Sequence, residues 1–386
     1  MSEYLPGLAG VPATQSNISN IDGEKGILSY RGYTIEELAK YSSFEETTLL
    51  LLDGTLPKPN ILEDFKKQLV ANRQLKFTTR GMMKNLPPNG HPMDMLQTVV
   101  ASLGMYNPNM DCLIGGDACN DINYIHNTTV KLMARVSSIV AMWEHIRNGY
   151  DPVGPRTDLS YAENFLYMFN GEEADPLLAK IMDVCLILHA EHTINASTFA
   201  TLVNASTLAS PYSVIAASIG ALSGPLHGGA NQKVVEMLEE IGTADKVEEY
   251  IDDKLAKKEV IWGMGHREYK TKDPRAIILQ GLMKQLMEDR GGNINPMFEL
   301  AKVVEEVCED RLSKKGVYAN VDFYSGILYT EMGIPADQFT TIFAISRTVG
   351  WLAHWREQLA DNRIFRPTQV YTGHANRPYI EMSDRD

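Results

Sequence analysis

Ser213-Val214-Ile215-Ala216-Ala217-Ser218-Ile219-Gly220-Ala221-Leu222-Ser223-Gly224 runs directly into Pro225-Leu226-His227-Gly228-Gly229-Ala230-Asn231. On a helical period the first segment puts Val214, Ile215, Ile219 and Leu222 on one face. Small residues at 213, 216, 217, 220, 221 and 224 form a second stripe, which admits a closely packed helix from the same chain or across a dimer. Gly224-Pro225 ends that helix, and a helical pattern resumes at Gln232. His227 therefore sits in a break, at or near the positive end of the next helix. Free N–H groups there disfavour a second positive charge, so the imidazole is expected to be neutral and to donate a hydrogen bond, as in polarising a carbonyl. A turn histidine with no chemical role fits the same pattern.

Helix, break, helix describes most of the chain. The first thirty or so residues are turn-rich, and Ile27-Leu28-Ser29-Tyr30, between Asp22-Gly23 and Gly32, reads as part of a short hairpin. Thr34 and Glu37 form a capping box, with a helix through Leu38. Beyond it, apolar residues recur at spacings of three and four, and breaks fall at Pro57, Pro87-Pro88, Pro108, Pro152, Pro211, Pro225, Pro274 and Pro335. A helix predicted from Ala336 to Leu359 is apolar nearly all round and so deeply buried, with Arg347 in its middle. The fold class expected is all-α with a small N-terminal β-hairpin. A length of 386 residues implies roughly two domains.

Composition removes several function classes. With 36 basic and 49 acidic side chains the net charge is -13, which argues against a nucleic-acid or anionic-membrane surface. An anionic substrate would need a local basic pocket. The cysteines at 112, 119, 185 and 308 form no CxxC pair, so neither a zinc ribbon nor a disulfide framework is indicated and a cytoplasmic setting fits. The N-terminus reads as no signal peptide, and no apolar run approaches membrane-spanning length.

Four groups of residues can carry chemistry. A guanidinium at Arg347, inside a buried helix, needs a counter-charge: an internal carboxylate or a bound one. In Gly263-Met264-Gly265-His266-Arg267-Glu268-Tyr269-Lys270-Thr271-Lys272-Asp273-Pro274-Arg275, the glycines allow close backbone approach to a ligand. Asp273 and Pro274 are a natural N-cap and first helical residue, which leaves Arg275 in the first turn against the dipole. An anion between Arg275 and the helix end would explain that placement; so would a guanidinium in water. His266, Lys270, Lys272 and Arg275 make this a basic segment suited to a phosphorylated or carboxylated ligand, or a solvated loop. Asp322 is either a helix cap or a general base between Val321 and Phe323. His189 and His192 share one helix face at i, i+3 and could begin a zinc site, but HExxH is absent.

Taken together these residues resemble the citrate synthase family, in its shorter bacterial and archaeal form. The likeness runs end to end, from Ile21-Asp22-Gly23, Gly26-Ile27-Leu28 and Tyr30-Arg31-Gly32, through His91-Pro92-Met93 and the stretch from His189 to Arg275, to Asn320-Val321-Asp322, Ser346-Arg347 and Arg366-Pro367. The resemblance implies that His227 hydrogen-bonds the thioester carbonyl of acetyl-CoA while Asp322 removes a methyl proton. His266 would donate to the ketone oxygen of oxaloacetate, and citryl-CoA would hydrolyse to citrate and CoA. His192, Arg275 and Arg347 would hold carboxylates. Arg366 would reach the partner's site in a homodimer. Gly263, Met264, Gly265, Lys270 and Lys314 would contact CoA, and no metal or resident cofactor is implied. The implied domains are a large one, 1–224 plus 331–386, at the dimer interface, and a small one, 225–330, that closes over the site. The longer N-terminal region of the NADH-inhibited hexameric members is missing, so that regulation is not expected.

Three alternatives stand beside this reading. A 2-methylcitrate synthase would use propionyl-CoA with the same groups, and one methylene is worth only ~1–3 kcal/mol in a pocket. A zinc-dependent hydrolase would use His189, His192 and a third ligand. A non-catalytic scaffold could keep the fold.

Overall fold

The computed structural model describes residues 4–106, 121–293 and 295–385. Cys112 and Cys119 lie outside them; Cys185 and Cys308 are buried free thiols. Near the N-terminus, β1 (Ser19–Asp22), β2 (Ile27–Tyr30) and β3 (Tyr33–Thr34) form an antiparallel sheet in that order. The turn signals predict only a hairpin. The third strand arises because Arg31 and Gly32 both take positive φ (50° and 91°), so a two-residue loop pairs Tyr30 with Tyr33. An arginine in such a turn gives no sequence signal.

Helices make up most of the remaining described chain. They are α1 (Ile35–Tyr41), α2 (Phe44–Asp53), α3 (Pro59–Asn72), α4 (Phe77–Lys84), α5 (Pro92–Leu103), α6 (Ile122–Arg147), α7 (Tyr161–Asn170) and α8 (Pro176–His189). After these come α9 (Ala196–Ser206), α10 (Pro211–Leu222), α11 (Ala230–Ile241), α12 (Val247–Lys257), α13 (Pro274–Asp289), α14 (Met297–Leu312), α15 (Val321–Glu331) and α16 (Phe339–Ala360). Local chemistry sets many of their starts. The Thr34–Glu37 capping box opens α1, Asp273 and Pro274 open α13, and Asn195 and Asn320 cap α9 and α15.

Helix α16 is the hub. It is buried without interruption from Phe339 to Trp355 and packs on α2, α6, α8, α9 and α10. Helix α10 begins two residues before the predicted Ser213, because Pro211 supplies the first helical position. Of its small stripe, Gly220 meets a neighbour inside the chain, where a Cβ would lie 2.5 Å from the Gln97 side chain of α5, while Ser213 is exposed and Ala217, Ala221 and Gly224 are half-buried. Helices α11 to α15 pack chiefly on one another, with bridges from α11 to α16 and from α13 to α1 and α8. The site candidates fall along this seam, at the ends of α8, α9, α11, α13 and α15 and on α16.

Candidate active site

His227 lies in the break between α10 and α11. Its N–H donates to Gly224 O (2.9 Å), and the Gly228 N–H donates to Leu222 O (2.9 Å). A Cβ at Gly228 would lie 2.5 Å from Leu222 O, so glycine is required for this close return. The N-cap of α11 is Gly229, two residues on, and the imidazole does not use that helix end. It reaches α9 instead: Nε2 stands 3.3 Å from the Ser197 backbone N–H and 2.8 Å from Ser197 Oγ. A backbone N–H can only donate, so Nε2 accepts and the ring proton sits on Nδ1. The sequence reading of a neutral ring at a helix N-terminus thus applies to a different helix. Burial, then the Arg347 charge, pushes the His227 pKa down to about 4. A neutral His227 keeps Nδ1–H available as a donor.

Two further imidazoles pack together on the same seam. His266 and His192 are edge to face, ring centroids 5.0 Å apart, and Tyr269 packs against both. His266 Nδ1 accepts the Glu268 N–H at 3.0 Å, which assigns its proton to Nε2. His192 Nε2 lies 3.1 Å from the Tyr269 hydroxyl. Burial lowers both, His266 to about 4 and His192 well below its usual value, with Arg275 adding to each. The expectation that His189 and His192 share a helix face is not met. His189 ends α8, while His192 lies beyond it in the turn. His189 is buried, with Nδ1 on Cys185 O at 2.8 Å. No group of three His, Cys, Asp or Glu able to hold a metal ion occurs among the described residues.

The two arginines resolve differently. Arg275 is buried and forms a two-point pair with Asp273, Nε to Oδ1 at 3.0 Å and Nη2 to Oδ2 at 2.7 Å, while Asp273 Oδ1 also accepts the Arg275 N–H. The anion expected between Arg275 and the helix end is therefore this cap. Arg347 has no ion-pair partner among the described residues. Its Nε donates to His189 O (2.7 Å) and the guanidinium lies over the Phe343 ring, 4.7 Å from the centroid. Neither terminal nitrogen of Arg347, and not Nη1 of Arg275, makes a hydrogen bond among the described residues. An internal carboxylate, the bland reading of Arg347, is absent there. Burial lowers the Arg347 pKa to about 10, with the Glu191 charge opposing that shift; the side chain remains a cation at neutral pH.

Asp322 is in the first turn of α15 but does not cap it. Asn320 is the cap, its Oδ1 accepting the Asp322 N–H at 3.0 Å. The half-buried Asp322 carboxylate makes no hydrogen bond among the described residues. Burial raises its pKa to about 6 against the pull of Arg275 and Arg347. Gly263 and Gly265 serve the backbone first. Both have positive φ (77° and 87°), and a Cβ at Gly263 would meet Phe323 and Val234 at 2.8 Å. This loop is laced to the start of α15: Met264 bridges Ala319, Asn320 N–H donates to Gly263 O (2.9 Å), and Asn320 Nδ2 donates to Gly265 O (2.9 Å).

Of the basic segment, Lys272 is spent on Glu305 at 2.7 Å. Lys270 is exposed and unpaired among the described residues, and Gly316 packs beside its backbone, two residues from the equally unpaired Lys314. Arg366 is exposed on the C-terminal segment, donating only to Pro367 O. Ser197, Tyr269, Phe343 and Asn320 touch the candidates but were not singled out by sequence reasoning. Only the N-cap pattern of Asn320 before an acidic first turn could have flagged one of them.

The family model described as "Citrate synthase, C-terminal domain" matches residues 7–368. The chain belongs to the citrate synthase family. A citrate synthase of Acidithiobacillus ferridurans is 58% identical over 382 residues, covering 99% of this chain and 98% of the relative. A citrate synthase of Synechocystis is 51% identical, over 99% and 94%. Among solved citrate synthases, that of Pyrobaculum aerophilum superposes with a TM-score of 0.92 at 42% identity, covering 98% and 95% of the two chains. That of Thermoplasma acidophilum, solved as a ternary complex with carboxymethyl coenzyme A and oxaloacetate, gives 0.93 at 32% identity over the full length of both. The fold they share with this chain is the all-α fold of citrate synthases.

Proposed function

We propose that this enzyme condenses acetyl-CoA with oxaloacetate and water to give citrate and CoA, with Asp322, His227 and His266 as its catalytic residues. The observation that carries the reading is Asp322: a carboxylate with no hydrogen bond among the described residues, raised to about 6, on a seam that also holds two neutral histidines with assigned protons. Asp322 takes a proton from the acetyl methyl group while His227 Nδ1–H donates to the thioester oxygen, so charge need not build on an enolate. The enol carbon bonds the ketone carbon of oxaloacetate, and His266 Nε2–H donates to the ketone oxygen. Water then cleaves the citryl thioester, releasing CoA.

The free nitrogens of Arg347 and the Nη1 of Arg275, with His192, hold the two carboxylates of oxaloacetate. Lys270 and Lys314 meet CoA phosphates, beside the backbone of Gly263, Met264 and Gly265. Residues 225–330 form the domain that closes on 1–224 and 331–386, excluding water before the enol forms. The segment after α16 exposes Ile364, Val370, Tyr371, Tyr379 and Met382, which supports its lying on a second subunit and Arg366 serving that subunit's site. Two buried free thiols support a reducing cytoplasm. Release of free CoA from acetyl-CoA on adding oxaloacetate tests the reaction. Equal or faster release from propionyl-CoA would assign the chain to 2-methylcitrate formation instead, and none from either would reject both.

A further inference from the structure

The element Ile21-Asp22-Gly23 with Gly26-Ile27-Leu28 carries part of the family likeness yet holds none of the reacting groups. In the structure the small sheet grips both histidine-bearing segments. Its body holds the turn that carries His192. Tyr30 Oη lies 2.9 Å from Glu191 O and accepts the Glu191 N–H at 3.2 Å. Ser19 Oγ accepts the Thr193 N–H at 3.2 Å. Thr193 has φ of 52°, which a β-branched residue adopts only under constraint, and it follows His192 directly.

The tip of the sheet holds the segment after His266. Lys270 N–H donates to Gly23 O at 3.0 Å, and a Cβ at Gly26 would lie 2.5 Å from Thr271 Oγ1. The tightest contact is at Gly23, where a Cβ would overlap the Glu268 carbonyl oxygen outright. Gly23 is not among the residues with positive φ, so alanine suits its own backbone. The demand for glycine comes from the Glu268 peptide. That residue's N–H is the donor that keeps the His266 proton on Nε2.

We propose that the β1–β2 turn is a positioning element for this reaction, with Gly23 making room for the Glu268 carbonyl and so placing residue 268 where its N–H holds His266 in the Nε2–H form. The proposal rests on the role given to His266 above. Gly23 touches none of the reacting groups named above; it acts through Glu268, which follows it in the chain by twelve helices.

Gly23→Ala tests it, read by steady-state kinetics and by 13C NMR of histidine-labelled enzyme, whose nine imidazoles report their tautomers. The expected result is a kcat lower by roughly tenfold to a hundredfold, as displaced catalytic groups give, with a smaller change in KM for acetyl-CoA. The His266 Cδ2 resonance, assigned with His266→Gln, should move away from the Nε2–H position while the melting temperature holds. Glu268→Pro leaves the hairpin sequence unchanged, removes the donor while also fixing φ at 268 and restricting Arg267, and should reproduce both changes even if Gly23→Ala folds poorly. Lys25→Ala, which deletes the exposed Asp22–Lys25 pair at the same turn, should leave both readings as in the parent. A folded Gly23→Ala enzyme with parental kcat and His266 resonance, or a Glu268→Pro enzyme unchanged in both, overturns the proposal. The NMR arm does not depend on which reaction is catalysed, so a failed reaction assignment and a failed positioning role are told apart.

Discussion

Replacing Arg347 with methionine should separate stability from function. The side chain is 1% exposed, donates from Nε to His189 O, and rests on Phe343. Losing the charge-assisted hydrogen bond costs about 1.5–3 kcal/mol. Losing the cation–π contact costs up to about 2 kcal/mol. Against these stands the removal of a buried cation with no carboxylate partner among the described residues, whose desolvation penalty is several kcal/mol. Methionine is unbranched and of similar reach, so it fills the space. The ligand-free variant should therefore unfold within about 2 kcal/mol of the parent, not the ~3–5 kcal/mol typical of breaking a buried ion pair. Oxaloacetate should discriminate far more strongly. Two charge-assisted bonds from the free terminal nitrogens are worth at least about 3 kcal/mol together, so affinity should fall about a hundredfold or more. Calorimetric unfolding with and without oxaloacetate reads both effects. At a concentration near 100 times its Kd, oxaloacetate stabilises the parent by about 2.7 kcal/mol; the variant, with its Kd raised a hundredfold or more, should gain at most about 0.4 kcal/mol at that concentration. An Arg347→Met protein that is several kcal/mol less stable, yet still stabilised by oxaloacetate, would refute the assignment and make Arg347 a structural cation.

Two further outcomes follow from the site. Asp322 must be ionised to accept a proton and its pKa is raised to about 6, so kcat/KM should climb with pH through about 6 and level off above. His227 and His266, lowered to about 4, stay neutral across that range and do not set the limb; Asp322→Asn should cut turnover roughly 10²–10⁴-fold in a folded protein, and a limb unchanged in that variant's residual activity would assign it elsewhere. If Arg366 serves the partner's site, dissociating and mixing inactive Arg366→Ala and Asp322→Asn subunits should restore about a quarter of parental activity, from one working site in half the dimers, measured as CoA release. No recovery on mixing would place Arg366 outside the neighbouring site.

What could be read from the chain was what the backbone decides within a few residues. Capping at Thr34 and Asp273, the proline-marked starts, and the all-round apolar face of α16 are local, and they appear where the sequence puts them. The seam was harder. His227 was expected at the N-terminus of the helix that follows it, but the donor is Ser197, thirty residues earlier, in a helix that the α10 turn brings back. Spacing carries no such information, because a break sets a direction and not a partner. Lys272 looked like part of a ligand-binding run until Glu305 was seen to neutralise it, and Gly263 looked like ligand clearance when Phe323 and Val234 occupy that space.

The arginines show why such ambiguity has a physical root. A cation in an apolar helix, or against a helix dipole, announces only that compensation is needed. The chain can supply it or leave it to a ligand, and both solutions produce the same anomaly in sequence. Here it does both. Asp273 satisfies one edge of Arg275 through two hydrogen bonds, so Arg275 can stay charged and fixed with no substrate bound. Arg347 is left with a backbone carbonyl and an aromatic face, and Glu191 acts only at longer range. On the proposed reading, one guanidinium paired by Asp273 and one without an ion-pair partner among the described residues would divide the work: the first is held before binding, and the second is the one whose electrostatic deficit a dianion would relieve. Oxaloacetate affinity should thus depend more on Arg347 than on Arg275, although both arginines lie equally deep in the protein.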